Sequence, residues 1–459
     1  MFRRDLRRIR FAFTSKMLWK RRMVFLLGAV AVGVASVVFA KVADGAQDFY
    51  VHTMAHTPWV FLILTPLGFG LFAWATTRWF DGAQGSGIPQ AIAARRSGNP
   101  VHRARLLSAK VTIGKIALTC LGLAVGGSIG REGPTVQLGC AIMVAMAAFA
   151  GLGRANGLVL VGAAAGIAGA FNTPLAGVMF AIEEMAKSYD KRLTGLISAA
   201  VVISGMVSLA LVGQYSYFGS IPSEAFASIG WGAVIFCAVV GGVGGAIFSR
   251  GLVAMSRARG RYLGPLKKRP FVFGAVCGLI IAVLAIATDG FAGGSGYGPT
   301  RDLLEQGVAT PWWYAPIKLL TTLLSSASGI PGGLFSPSLS VGANIGAALA
   351  PFMPEMDIRA LAMLGMVGYF AGVVQAPLTA FIIVMEMTNE VHLVVPLLAT
   401  ALLGAGVSRL LAPEPLYHAL SFGYDPTPDD KAQAEALKTE STKPEENEPE
   451  DTKAAPPRV

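Results

Sequence analysis

Apolar residues are gathered into long stretches instead of alternating with polar ones. The stretches fall at roughly 23–40, 57–77, 111–129, 155–182, 193–213, 230–248, 271–288, 335–353, 359–385 and 391–411. Uninterrupted runs of this length predict helices that cross a bilayer, whereas a membrane β-barrel alternates residue by residue. Several runs are short or broken by glycine and proline. Ten is therefore the minimum number of segments, and tilted or broken helices are expected among them. The run at 23–40 follows a long basic stretch and can itself span a membrane, so it reads as a first spanning helix and not as a cleavable signal peptide.

The punctuation between the runs repeats. Residues 126–142 (GGSIGREGPTVQLGCAI) align with 329–345 (GIPGGLFSPSLSVGANI) at an offset of 203. Gly130 falls on Gly333, Pro134 on Pro337, Gly139 on Gly342 and Ile142 on Ile345. Downstream, Gly162 falls on Gly365, Gly169 on Gly372, Pro174 on Pro377, Leu175 on Leu378 and Glu183 on Glu386. Upstream, Lys115 falls on Lys318 and Thr119 on Thr322. A repeat this long in a chain this apolar marks a transporter of two halves, with its substrate site where they meet.

Charge orients the halves. Arg95, Arg96, Arg103, Arg105 and Lys110 stand before the first glycine turn with no acid among them, while the equivalent stretch carries Arg301 against Asp302 and Glu305. Basic flanks stay in the cytoplasm. Equivalent segments then lie on opposite faces, so the repeat is inverted. The expected organisation is a basic cytoplasmic N-terminus (1–22), a first membrane repeat (23–213), a polar linker (214–228), a second repeat (229–420) and a disordered cytoplasmic tail (421–459). The fold class is an all-α polytopic membrane protein.

Composition agrees. The chain is 53% hydrophobic and 14% charged, with a mean hydropathy of +0.57; soluble proteins carry about 25% charged residues. Its 55 glycines permit close helix approach and local unwinding beside a cavity. The net charge of +11 resides largely in basic flanks, which reads as topology anchoring and not as nucleic-acid binding. Cys120, Cys140, Cys237 and Cys277 all sit in apolar runs without ligand spacing, and the five histidines are scattered. No metal site, disulfide or cofactor is expected.

Three turns carry the candidate chemistry: Gly85-Ser86-Gly87-Ile88-Pro89, Gly130-Arg131-Glu132-Gly133-Pro134 and Gly332-Gly333-Leu334-Phe335-Ser336-Pro337. Each places glycine just before or at the start of a predicted helix, where proline is tolerated. Unpaired N–H groups there carry partial positive charge. Several such N-termini meeting at the membrane midplane form an anion site without a full charge that would hold the ion too long. Glu132 sits among these groups. An ionised side chain at mid-bilayer costs about 2.5–3.5 kcal/mol on the gentlest scale, and its repeat partner, Phe335, carries no acid. A carboxylate at that place can occupy the anion site and leave on protonation, which makes Glu132 a candidate gate and proton carrier; the alternative is a helix-start acid serving only the dipole. Glu183 has a counterpart in Glu386, which points to a shared structural role such as bonding the backbone N–H groups of a neighbouring turn. Glu184 has none, since Met387 stands opposite, and is either an acid that feeds protons inward or a structural one. Ser86 is either a helix cap or an anion donor; Tyr417 is either an interfacial anchor or a second donor.

The three turns, together with Tyr417 in Pro415-Leu416-Tyr417, resemble the CLC chloride channel and transporter family over roughly residues 80–420. The resemblance implies tilted, unequal helices, both termini cytoplasmic, and a homodimer in a prokaryotic-type cell membrane with one pore per subunit. It implies that Ser86 and Tyr417 donate hydroxyls to a central chloride, that Leu334 and Phe335 donate backbone N–H groups to it, that Glu132 is the external gate, and that Glu184 is the internal proton-transfer acid of the exchanger branch. Ser86 and Pro134 together favour chloride over fluoride or nitrate. Gln90 departs from the pattern, since many relatives carry an acid directly after this turn. No cytoplasmic CBS domain follows Tyr417. The expected function is exchange of chloride for protons, with a passive chloride channel of the same fold as the alternative. An intramembrane enzyme using Glu183 and Glu184 as an acid/base pair lacks any accompanying nucleophile or metal motif.

Overall fold

The computed structural model describes residues 16–151, 156–186, 191–213, 216–219, 230–257 and 263–441. These form helices joined by short turns, with no strand longer than an isolated bridge among the described residues. Helix α1 (Lys16–His56) is followed by α2 (Phe61–Arg78), α3 (Ile88–Arg96), α4 (Pro100–Leu106), α5 (Ala109–Ala124), α6 (Glu132–Phe149), α7 (Asn156–Phe171), α8 (Pro174–Phe180) and α9 (Lys191–Val212). The second half contains α10 (Trp231–Arg257), α11 (Leu263–Lys267), α12 (Pro270–Ala287), α13 (Tyr297–Gln306), α14 (Tyr314–Ala327), α15 (Phe335–Ala347), α16 (Ile358–Val374), α17 (Pro377–Thr388) and α18 (Val394–Leu411). Two C-terminal helices follow, α19 (Leu416–Ser421) and α20 (Pro428–Ser441). Eight helical stretches are long and apolar enough to cross a membrane, and three shorter apolar helices accompany them.

The repeat is visible helix by helix. Helices α6 and α15 both begin at the residue the 203 offset predicts, as do α8 with α17 and α9 with α18. Each half builds its core from a helix apolar on all sides, α7 and α16, which must be enclosed by others. In α16 every residue from Ala360 to Val374 is buried. Small residues let backbones touch there: a Cβ on Gly342 would lie 2.6 Å from Gly365 O, and one on its counterpart's neighbour Gly162 would lie 2.6 Å from Gly139 C.

Three features differ from the expectations. The first spanning segment is longer than its apolar run: α1 has 41 residues, about 60 Å at 1.5 Å per residue, and carries Lys41, Asp44 and Asp48 in its second half. Asp44 is admitted because it pairs with Arg131. Second, the offset is not constant. Helices α2 and α12, and likewise α3 and α13, are related by 209 residues (Phe61 to Pro270, Ile88 to Tyr297). The six-residue difference falls at α4, an extra short helix in the first half. Third, residues 421–441 of the tail expected to be disordered are folded back as a 3-10 turn and α20. The tail has too little apolar surface for a core of its own, and it docks through polar contacts instead. Asn99 Nδ2 donates to Asp430 O (3.0 Å), Arg105 pairs with Asp430 (3.1 Å) and His102 Nε2 meets Tyr424 O (2.8 Å). Of the linker expected at 214–228, only residues 216–219 are described, and residues 442–459 lie outside the described residues. The four cysteines are buried and unpaired.

Candidate functional site

The three turns meet at one junction. Gly130 and Gly333, repeat equivalents, exchange backbone hydrogen bonds: Gly130 N–H donates to Gly333 O (2.8 Å) and Gly333 N–H to Gly130 O (2.6 Å). Gly85 joins from the side, its N–H donating to Ile330 O (3.2 Å) and its carbonyl accepting from Gly332 N–H (3.1 Å). From this knot start α3 at Ile88, α6 at Glu132 and α15 at Phe335, with Pro89, Pro134 and Pro337 in the first turns. Gly87 has φ +106, a left-handed conformation, and a Cβ there would lie 2.7 Å from Gly133 O. Only glycine meets both demands. The first N–H groups of each helix lack intrahelical partners and carry the positive end of the helix dipole.

Two separate cavities reach the knot. One, of about 460 Å³, reaches Gly85, Ser86, Pro89 and Leu334, and is lined further out by Arg105 and Lys267. The other, of about 210 Å³, ends on Arg131, Glu132 and Ser336 with Asp44 and Tyr217 in its wall. Glu132 is buried. One carboxylate oxygen accepts a short hydrogen bond from Ser336 Oγ, and the other has no hydrogen-bond partner among the described residues. The Arg131 side chain turns away from the knot: it donates to Ala40 O (2.8 Å), pairs with Asp44 and lies 5.5 Å from the Tyr217 ring. Only its backbone belongs to the turn.

Ser86 does not cap α3, and its buried hydroxyl has no partner among the described residues besides that of Tyr417. Tyr417 is no interfacial anchor. It is fully buried, its hydroxyl stands beside that of Ser86 and reaches no other partner among the described residues, and its ring stands 6.3 Å from that of Phe335. The loop before Ser86 is braced twice. Lys115 Nζ donates to Gly85 O (3.0 Å), and Gln90 Nε2 donates to Gly82 O (3.0 Å) and Gln84 O (2.5 Å). An ionised acid at position 90 would set a charge against two carbonyls, so the amide matches the loop it holds.

Glu183 and Glu184 separate in role. Glu183 accepts from the N–H groups of Leu378 (3.2 Å) and Thr379 (2.7 Å) at the start of α17, while Glu386 accepts from Leu175 (3.0 Å) and Ala176 (2.7 Å) at the start of α8. Glu184 lies in a single wide helical turn, Ala181–Ala186, buried, with His418 Nε2 against its carbonyl (3.1 Å). It lines neither of the two cavities. Phe180, four residues before it, packs 6.2 Å from Phe335, whose ring also neighbours those of Phe370 and Tyr417.

Residues 68–409 match the family profile described as voltage gated chloride channel. The chain belongs to the CLC family. It is 30% identical over 433 residues to the H(+)/Cl(-) exchange transporter ClcA of Yersinia pestis bv. Antiqua (strain Angola), covering 87% of this chain and 88% of that protein. Its fold is similar to a slow cyanobacterial Cl−/H+ antiporter (TM-score 0.74, 24% identity, 87% of this chain and 97% of that one). A CLC-type fluoride/proton antiporter is also similar (TM-score 0.73, 21% identity, 88% and 99%).

Sequence reasoning missed four parts of this CLC site. Ser336 was treated as turn context, although it stands opposite Gly133 in the repeat and is the position where a hydroxyl replaces a hydrogen atom. Tyr217 lies in the linker, where no periodicity marks it. Asp44 follows the apolar run that defined the first helix. The fourth is Gly294-Ser295-Gly296, the counterpart of Gly85-Ser86-Gly87 at offset 209, with Gly294 at φ +65 and Gly296 at φ +78. Lys318 Nζ donates to Gly294 O (2.6 Å) as Lys115 does to Gly85 O. The repeated G-S-G tripeptide was the available signal.

Proposed function

We propose that this CLC protein exchanges chloride for protons across a membrane. The observation that carries the reading is the pair of cavities ending on one knot of helix N-termini, with Glu132 at the end of one and Ser86 with Leu334 at the end of the other. Chloride comes in from the larger cavity and takes donors from the Ser86 and Tyr417 hydroxyls and the N–H groups of Leu334 and Phe335. Glu132, while ionised, competes for the same positive helix ends. A proton from the smaller cavity neutralises it and frees the position; the proton then passes toward Glu184 as chloride moves the opposite way. The names of the curated relatives support exchange. Ser86 and Pro134 support chloride as the anion. The basic residues flanking the larger cavity support a cytoplasmic placement for it and for both termini. The resemblance supports an inner-membrane homodimer with one pore per subunit.

The test is proton movement in liposomes holding the purified full chain, under a chloride gradient with no pH gradient and with voltage held near zero. Protons driven opposite to chloride establish exchange. Chloride flux without protons makes the protein a passive channel and Glu184 a structural acid.

A further inference from the structure

The segment joining the halves does more than connect them. Tyr217 and Phe218 are buried, with Tyr217 in the wall of the smaller cavity and its ring meeting Phe171 (5.1 Å), Phe218 (4.8 Å) and Tyr297 (4.8 Å) edge-on. Two hydrogen bonds fix the backbone: Tyr297 Oη donates to Tyr217 O (2.9 Å), and Phe218 N–H donates to Met387 O (3.0 Å). So held, Tyr217 Oη lies 3.2 Å from Ser336 Oγ, and Ser336 Oγ donates to Glu132. A serine hydroxyl has one proton. With that proton committed to the carboxylate, the serine oxygen accepts from tyrosine, and the chain runs Tyr217 to Ser336 to Glu132 in one direction. Once Glu132 is protonated and becomes the donor, both hydroxyls can rotate and the chain reverses. The hydroxyls thus follow the charge of the acid without a change in backbone.

We propose that Ser336 and Tyr217 are positioning residues of the outer gate, a two-hydroxyl chain that stabilises ionised Glu132 in its seat and sets the external pH at which it leaves. This rests on the reading of Glu132 as the gate. The other charged and titratable groups around it do not substitute. Arg131 is committed to Asp44 and Ala40 O. Asp44 and Asp48 from α1 share the cavity wall and oppose the ionised form, Tyr297 spends its hydroxyl on Tyr217 O, and Lys41 lines a separate adjoining cavity with Arg131. On the inner side stand Tyr417 and Glu184, the first bearing no charge and the second an acid. Arg131 keeps its charge while so bonded and still favours the ionised form from a distance; removing the hydroxyl chain leaves the helix N-terminus and that remote charge to hold the carboxylate.

The experiment is transport rate against external pH in liposomes for the full chain and for Ser336→Ala, Ser336→Thr, Tyr217→Phe and Glu132→Ala. A hydrogen bond to the charged form favours that form, so its loss moves the midpoint toward higher pH. Ser336→Ala is expected to raise it by about one pH unit, the size of one charge-assisted hydrogen bond. Tyr217→Phe, which keeps the ring, raises it by roughly a third of that through lost polarisation. Ser336→Thr keeps the wild-type midpoint. A Ser336→Ala profile superimposed on wild type overturns the proposal, as do equal shifts in the Ala and Thr variants. A pH profile that survives Glu132→Ala overturns the gate assignment itself and this inference with it, so the two failures are told apart by that control.

Discussion

Glu183 and Glu386 perform the same task for each other's half. Each lies near the end of one repeat's helix and accepts two backbone N–H bonds from the first turn of the equivalent helix in the other repeat: Glu183 from Leu378 and Thr379, Glu386 from Leu175 and Ala176. The acceptors and donors are all related by 203 residues. A carboxylate at a helix N-terminus satisfies orphan donors and the dipole together. The exchange is therefore a two-fold clasp between the halves.

Replacing Glu183 or Glu386 by alanine leaves two helix-start N–H groups without their acceptor. Each variant is expected to lose about 1–3 kcal/mol while keeping the ratio of protons to chloride. Thermal unfolding in detergent, read by tryptophan fluorescence, checks the first; coupled flux checks the second. A changed ratio in Glu183→Ala would assign that acid to proton transfer.

The two buried lysines brace equivalent turns but only one turn holds Ser86. Lys115→Met removes the donor to Gly85 O and is expected to weaken chloride binding about tenfold, the equivalent of one lost hydrogen bond. Lys318→Met removes the donors to Gly293 O and Gly294 O and is expected to lower stability with chloride affinity kept. Titration calorimetry with chloride separates them, and equal losses of affinity would contradict the assignment.

Gly342→Ala is expected to prevent folding or cost about 3 kcal/mol or more, since its Cβ would lie 2.6 Å from Gly365 O and 2.7 Å from Met366 Cα. Gly406→Ala, in α18 with nothing within 4 Å of its Cβ, is expected to be neutral or to stabilise by about 0.5–1 kcal/mol. Yield of monodisperse protein and unfolding temperature read both.

The docked tail should come away in acid. Burial works against the Asp430 carboxylate, but hydrogen bonds from Thr427 and the charges of Arg105 and His102 outweigh it and hold the group below its usual range. A depressed value in the folded state means that docking is fully supported above the ordinary carboxylate range and lost as pH falls through the depressed one. Limited proteolysis of 428–441 is expected to be slow near pH 7 and fast at the acid end, and Asp430→Asn should be cut faster at pH 7 as well.

Much of this was legible because Lys115–Glu183 matches Lys318–Glu386 without a gap in register, so glycines and acids could be matched by subtraction. The Glu183 clasp and the meeting of Gly130 with Gly333 both followed from it; the burial of Tyr417, which the sequence left between an interfacial anchor and a donor, did not. What was not legible has specific causes. Six extra residues at α4 shift the register upstream, which hid the relation of Gly85 to Gly294. Tyr217 acts through one hydroxyl placed by tertiary contacts, and a polar linker gives no period to mark it. Tyr424 and Asp430 dock by single hydrogen bonds and an ion pair, which apolar patterning does not register.

The paired hydrogen bonds between Gly130 and Gly333 constrain how this molecule can work. Many two-halved carriers expose their cargo to alternate sides by rocking one half against the other. Here the halves are sewn together by backbone at the junction proposed to hold the anion, and rocking would tear both stitches and the Gly85 bonds beside them. Under the proposed mechanism the working stroke is confined to what can move while the wall stands still, a single carboxylate side chain and its hydroxyl neighbours. Such a machine resembles a turnstile more than a rocker, and its outline should stay nearly unchanged through the whole cycle.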